Sequence, residues 1–308
     1  MNTNQGWIPP DERTAEQTEF NEQVLCEMAT FSLPMKDEGR TCLWDVARKA
    51  VGEQFRYIWQ SSGSCVGAGG ANALRTLMAV EISLGQPEEY REVWWPWTYG
   101  QSRRLGGLRG PGEGSFGSAF YKAAKECGFF SVAQSPVAVP DFRRIGPWLQ
   151  LTSATEVEWS DGARWNTPAF TGVANRHPIQ GGAVVRSVQD AISLVQSGYP
   201  LTIASMYGTR TITRQGGNEP VNVARRDDTW AHQMSIDEVW KHPTLGWLFR
   251  FMNQWGSTIH PAPVSGEPAG GFYVTEREFA QLLAERNTEC FAFSSFAGFP
   301  AREINWYI

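Results

Sequence analysis

The stretch from Trp59 to Leu74, WQSSGSCVGAGGANAL, constrains the fold of this chain more than any other. It begins polar, passes through a lone cysteine, Cys65, and enters a string of small residues. Beyond it Leu74, Leu77, Met78 and Ile82 recur at spacings of three and four, the period of a helix with one apolar side. Ser64 is a favourable N-cap residue directly before the cysteine, so Cys65 is expected in the first turn of that helix, which should end near Gly85. The unpaired N–H groups and partial positive charge of a helix start favour a thiolate over a thiol. Gly67, Ala68, Gly69 and Gly70 form helix poorly and imply that other chain segments approach closely there.

Taken alone, Cys65 reads as a buried structural thiol, the usual state of a free cysteine. A phosphate-cradling loop is a weaker alternative, because the glycines match neither GxGxxG nor GxxxxGK[ST]. The 308 residues suffice for one large domain or two lobes, and the net charge of -5 gives no reason to expect nucleic-acid binding. The cysteines at 26, 42, 65, 127 and 290 are odd in number and contain no CxxC pair, which disfavours a zinc ribbon or thioredoxin-type motif and suits a reducing compartment. Apart from Cys65 they read as core thiols. The N-terminus lacks a basic-then-apolar export signal, and no apolar run reaches the roughly 18 residues of a spanning helix, so no membrane partner is expected.

Residues 1–10 read as a loose tail. Helices are expected over 11–28, 43–51, 65–84 and 115–127. The aromatic segment 88–104 and the glycine-rich loop at Gly112 and Gly114 lie between the last two; the loop reads equally as a ligand-facing wall and as a surface turn. Strand-like runs follow at 131–139, 155–159 and 201–206, with a helix over 188–196 started by Ser187 and Asp190. A long polar loop is expected over 207–228, strands over 230–240, 247–254, 271–274 and 290–295, and a helix at the capping box after Thr275. The chain therefore reads as α+β: an N-terminal extension (1–50), a helical lobe carrying the cysteine helix (51–130) and a β-rich lobe (131–308), with a cleft between the lobes.

His232 stands in TWAHQMSIDEVW, a strand-like run. A second such run, LFRFMNQWG, ends in Asn253, Gln254, Trp255 and Gly256. Neighbouring strands would hold His232 and Asn253 side by side. His177, His242 and His260 read as loop or turn residues, and Glu53, Glu113 and Asp237 have no evident acid–base partner.

In these motifs the chain resembles the papain-like cysteine peptidases. QSSGSCVGAG, WAHQM and NQWG are similar to the family's cysteine, histidine and asparagine segments and occur in the family's order. GEGSFGSAFYKAAKECGFF is similar to its glycine-rich substrate wall and following helix. The likeness is strongest to compact papain-like proteins of bacterial and phage genomes. It implies a two-lobe papain-like fold and hydrolysis of a peptide or isopeptide bond through a thioester acyl-enzyme, with no metal and no organic cofactor. Cys65 would be the nucleophile, His232 its proton acceptor, and Asn253 the group orienting the imidazole. Gln60 would donate to the oxyanion. Trp255 would shield the Asn–His hydrogen bond and, with Gly114, face the substrate.

Gln60 lies five residues before Cys65, one fewer than the family's usual spacing, which implies a tighter loop. Ser62 stands where many secreted members carry a cysteine, so their disulfide is not expected. The N-terminal extension is short for the family's inhibitory propeptide, and control by proteolytic activation is not expected. The expected partner is a peptide or protein substrate, in the cytoplasm of a bacterial cell or phage-infected host. Two competing readings stay open: a structural, virion or assembly protein with a vestigial triad, and a transglutaminase-like or amidase activity on the same fold.

Overall fold

A computed structural model describes residues 6–29, 33–85 and 90–294. The helices are α1 (Ala15–Glu27), α2 (Leu43–Val51), α3 (Cys65–Ser83), α4 (Trp95–Leu105), α5 (Gly117–Glu126), α6 (Ser153–Trp159), α7 (Gly162–Trp165), α8 (Pro168–Ala174), α9 (Val188–Gln196) and α10 (Glu276–Leu283). The strands are β1 (Arg40–Cys42), β2 (Tyr57–Trp59), β3 (Arg143–Ile145), β4 (Trp148–Gln150), β5 (Gly182–Val184), β6 (Leu201–Ser205), β7 (Thr211–Gln215), β8 (Val221–Arg225), β9 (His232–His242), β10 (Gly246–Met252), β11 (Gly271–Thr275) and β12 (Glu289–Phe293).

The expected α+β architecture is present. Helix α3 is buried from Cys65 to Glu81, its polar residues Asn72, Arg75, Thr76 and Glu81 included. Its glycines are where neighbours come too close for a side chain. A Cβ on Gly70 would stand 2.1 Å from the Phe120 ring of α5, and one on Gly69 would stand 3.0 Å from the Gln233 carbonyl of β9. The helix thus reaches the helical layer on one side and the main sheet on the other.

That sheet runs β5-β12-β6-β9-β10-β11-β8-β7, with β1 paired to the far half of β9. The near half of β9 pairs with β6, which sets His232 opposite Ser205. β9 carries one residue more than β10 between Ile236 and Glu238, a bulge at Asp237. Asp237 is spent in the core, accepting from Tyr57 Oη at 2.6 Å and from Arg250 at 2.6 Å. A small second sheet, β2-β4-β3, leads into the Cys65 loop.

Four local expectations are corrected. Residues 155–159 lie in α6: Thr152 caps Thr155 N–H, and Trp159 stacks on Trp165 with ring centroids 4.0 Å apart, so local capping and aromatic packing override the β-like alternation. Residues 131–139 hold a single 3-10 turn and no strand. The polar segment 207–228 contains the β7–β8 hairpin, polar because β7 is an exposed edge. Cys26 is exposed and Cys42 half-buried, so these two are not core thiols; none of the five cysteines is paired. The final expected strand is β12, and residues 295–308 lie outside the described residues. Among the described residues no helix is long and apolar enough to cross a membrane.

Candidate active site

Cys65 is the first residue of α3 and is fully buried. Ser64 does not cap the helix with its side chain. Its carbonyl accepts from Ala68 N–H at 3.0 Å, and its hydroxyl donates instead to Glu156 at 2.7 Å. Glu156, on α6, also accepts from Ser61 N–H and Ser62 N–H, each at 2.9 Å, and from the Ser62 hydroxyl at 2.7 Å. One buried carboxylate therefore organises the loop that delivers the cysteine. Burial outweighs these donors and lifts the Glu156 carboxyl to about 7. Gln60 donates from its backbone to Gln254 O at 2.9 Å and from its side-chain amide to Ser62 O at 2.8 Å, so the shortened spacing folds this side chain back on its own loop.

The glycine-rich wall is held by the same region. Ser160, which follows α6, accepts from Gly112 N–H at 2.8 Å on its hydroxyl and from Arg103 Nε at 3.2 Å on its carbonyl. Arg103 in turn donates to the carbonyls of Glu113 and Gly114 at 2.6 and 2.5 Å. Gly114 N–H donates to Gly63 O at 2.9 Å. Both backbone groups of Gly114 are thus engaged within the protein, and Ser115, one residue on, presents the free edge.

That edge is occupied by the chain's own N-terminal segment. Ser115 N–H donates to Gly6 O at 2.9 Å and Ile8 N–H donates to Ser115 O at 2.8 Å, a parallel bridge centred on Trp7. Trp7 N–H reaches Ala231 O, next to His232, at 3.3 Å. The indole N–H of Trp7 donates to Glu289 at 3.0 Å, and Arg13 joins the same carboxylate at 2.8 Å. Residues 6–8 therefore form a strap from wall to wall across the cleft, and the expected loose tail is corrected. Gly6 lies so close that a Cβ would stand 1.8 Å from Gly63 O. Burial pushes the Cys65 thiol up to about 12, outweighing the nearby backbone of Gln233, Gly6 and Val66, which favours the anion.

His232 opens β9 and is fully buried. Its Nε2 lies 3.0 Å from Asn253 Oδ1. An amide oxygen only accepts, so Nε2 carries the proton and Nδ1 is the bare nitrogen of a neutral imidazole. Nδ1 is buried and makes no hydrogen bond. Burial lowers the imidazole to about 3. Trp255 stacks on the ring at 4.4 Å between centroids, and Trp230 packs on Trp255 at 4.9 Å. Gly256 takes φ +96°, and a Cβ there would stand 2.5 Å from the Trp59 ring, which explains the glycine after Trp255. Gln254, also buried, turns its amide nitrogen toward α3 beside Gly69.

The structure pairs His232 with Asn253 and stacks Trp255 on the ring, ties Gln60 to Gln254, and sets Gln233, the residue after His232, against Val66, the residue after Cys65, at 3.2 Å. It adds Glu156, Arg103, Ser115 and His260. His260 is not a surface residue: it is 9% exposed, and its Nε2 lies 2.9 Å from Asn253 Nδ2. Nothing local marks these residues. Glu156 lies some ninety residues from the loop it holds, and His260 stands before a proline in a stretch that reads as loop. Among the described residues no cluster of His, Cys, Asp and Glu could hold a metal ion.

The sequence matches no family model and no curated protein. The fold does have solved counterparts. It superposes on xylellain, a cysteine protease from Xylella fastidiosa, with a TM-score of 0.58 and 12% identity, over 95% of this chain and 96% of that one. It superposes on the ragweed pollen cysteine protease Amb a 11 in its proform with a TM-score of 0.51 and 13% identity, covering 91% and 75% of the two chains. Procathepsin B from Trypanosoma congolense gives 0.50 at 11% identity, over 93% and 85%. The fold is papain-like.

Proposed function

We propose that this chain is a cysteine peptidase, shown here in a closed form. The observation that carries the reading is the buried Nδ1 of His232, bare and without a hydrogen bond, while Nε2 is tied to Asn253 and the next residue, Gln233, donates from its side chain to the Val66 carbonyl beside Cys65 at 3.2 Å. A base with its acceptor free beside a thiol at a helix start suits proton transfer from sulfur to imidazole. The thiolate then attacks a substrate carbonyl carbon. Oxyanion charge falls to the Cys65 N–H and to Gln60, once its amide leaves Ser62 O. The imidazolium protonates the departing amine, and water hydrolyses the thioester by the same relay in reverse.

Substrate enters only when residues 6–8 leave Ser115. Opening admits water, removes most of the burial cost, and should bring the thiol below the roughly 8.5 of an ordinary cysteine. Control by the N-terminal segment belongs to this reading, contrary to what the shortness of the extension suggested; two of the structural counterparts are themselves proforms.

The test is release of label from fluorescein-casein by the wild type and by Cys65→Ala, with the strap opened by Gly6→Ala in both. Cys65→Ala should abolish release while leaving the circular dichroism spectrum unchanged. Release that survives the substitution would place the nucleophile elsewhere. An opened protein that cleaves nothing, its Cys65 reacting as an ordinary thiol, would favour a binding or assembly role.

A further inference from the structure

The Asn253 side chain bridges two imidazoles, with Oδ1 3.0 Å from His232 Nε2 and Nδ2 2.9 Å from His260 Nε2. The two ends of an amide are opposite in kind, one accepting and one donating, so its orientation dictates the proton position on both rings. With the oxygen toward His232, that ring is protonated on Nε2 and bare on Nδ1. With the amide reversed, His260 would donate from Nε2. His232 would then accept at Nε2, carry its proton on Nδ1, and face the cysteine with a donor. In that arrangement His232 has no lone pair for the thiol proton.

We propose that His260 is a positioning residue: as a neutral acceptor for the Asn253 N–H, it holds the amide oxygen toward His232 and so keeps the bare nitrogen of His232 available to Cys65. The proposal rests on the peptidase reading and adds a fourth member to its relay. The surroundings suit a fixed, uncharged ring. His260 packs edge-on to Phe272 at 4.9 Å and lies over Trp230 at 6.3 Å. Burial alone lowers its proton affinity, to about 4. A charged His260 would be a donor at both nitrogens and would oppose the Asn253 N–H. A neutral one accepts at Nε2 only with its own proton on Nδ1, and this is the signature to look for.

The 308-residue chain has four histidines, few enough to assign individually by ¹⁵N–¹H correlation of the imidazole nitrogens. The expected pattern is His232 protonated on Nε2 and His260 protonated on Nδ1. In His260→Leu the His232 pattern should become a mixture of the two forms. Labelling of Cys65 by iodoacetamide, read by peptide mass, should slow about tenfold, as for loss of an orienting partner one shell out. His260→Gln offers an amide oxygen in place of Nε2 and should restore the His232 pattern and bring labelling to within about threefold of wild type. A wild-type His260 protonated on Nε2 would overturn the proposal. So would a His232 pattern and labelling rate that ignore His260→Leu. These readouts need no substrate, so a failure of casein cleavage with the tautomers as expected would count against the peptidase reading alone.

Discussion

The two sides of the cleft are built from different materials. On the cysteine side the chain is loop, rich in serine and glycine, with few side chains to pack. It is ordered by buried ionisable groups of two helices, Glu156 on α6 and Arg103 on α4, which bond to backbone N–H groups, hydroxyls and carbonyls. On the histidine side the backbone is already fixed by the β6–β9–β10 register. Only ring orientation remains, and neutral groups supply it: an amide, a second imidazole and stacked indoles. A buried charge beside His232 would move its proton affinity by electrostatics; neutral partners leave that to solvent access. Buried ionisable side chains order a loop, and uncharged hydrogen bonds orient an imidazole.

The strap joins the two sides, and breaking it should give the largest effect. Gly6→Ala puts a methyl 1.8 Å from Gly63 O, a backbone atom that no rotamer can move aside. If the overlap costs the strap roughly 3 kcal/mol, iodoacetamide labelling of Cys65 should rise about a hundredfold, since each 1.4 kcal/mol is about tenfold. A labelling rate equal to wild type would mean that the strap does not gate the thiol. Glu156→Ala comes next. It strands two N–H groups and two hydroxyls while relieving a buried carboxyl, for a net loss of about 2–3 kcal/mol in urea unfolding. A loss confined to a few tenths would show that the loop holds itself and that the two sides are not differently built.

How much of this was legible in the sequence follows from the same contrast. The histidine side was readable because strands declare themselves by local pattern: TWAHQMSIDEVW and LFRFMNQWG each carry their residues on one short run. The start of α3 was readable from Ser64, Cys65 and the apolar spacing behind them. What supports the cysteine loop was not, because Glu156 acts across more than ninety residues and the T-E-V-E-W around it alternates like a strand. Gly114 looks like the permissive position, but its N–H and C=O are bonded to Gly63 and Arg103, and the N-terminal strap pairs with Ser115 instead. The strap escaped notice because a polar terminus with one tryptophan looks unstructured until Glu289, near the other end of the chain, receives its indole.

The smallest of these effects is the one that separates the two sides by sign. Burial lifts the Glu156 carboxyl from 4.5 to about 7 in the folded protein, so its contribution to stability is present at low pH and is lost as pH rises through about 7. The histidines run the other way. Burial lowers His232 to about 3 and His260 to about 4 from 6.5, so their contribution is present above 6.5 and is lost on acidification. Between pH 7 and pH 5 the wild type thus sets a gain at Glu156 against a loss at the histidine pair. Glu156→Gln cannot titrate and removes the gain, so this variant should lose about 2 kcal/mol more stability than wild type over the same interval, read from urea midpoints at each pH. His260→Leu should shift the balance oppositely, because one of the acid-sensitive rings is gone. If both variants changed the pH dependence in the same direction, charge on one side and neutrality on the other would no longer describe how this cleft is held.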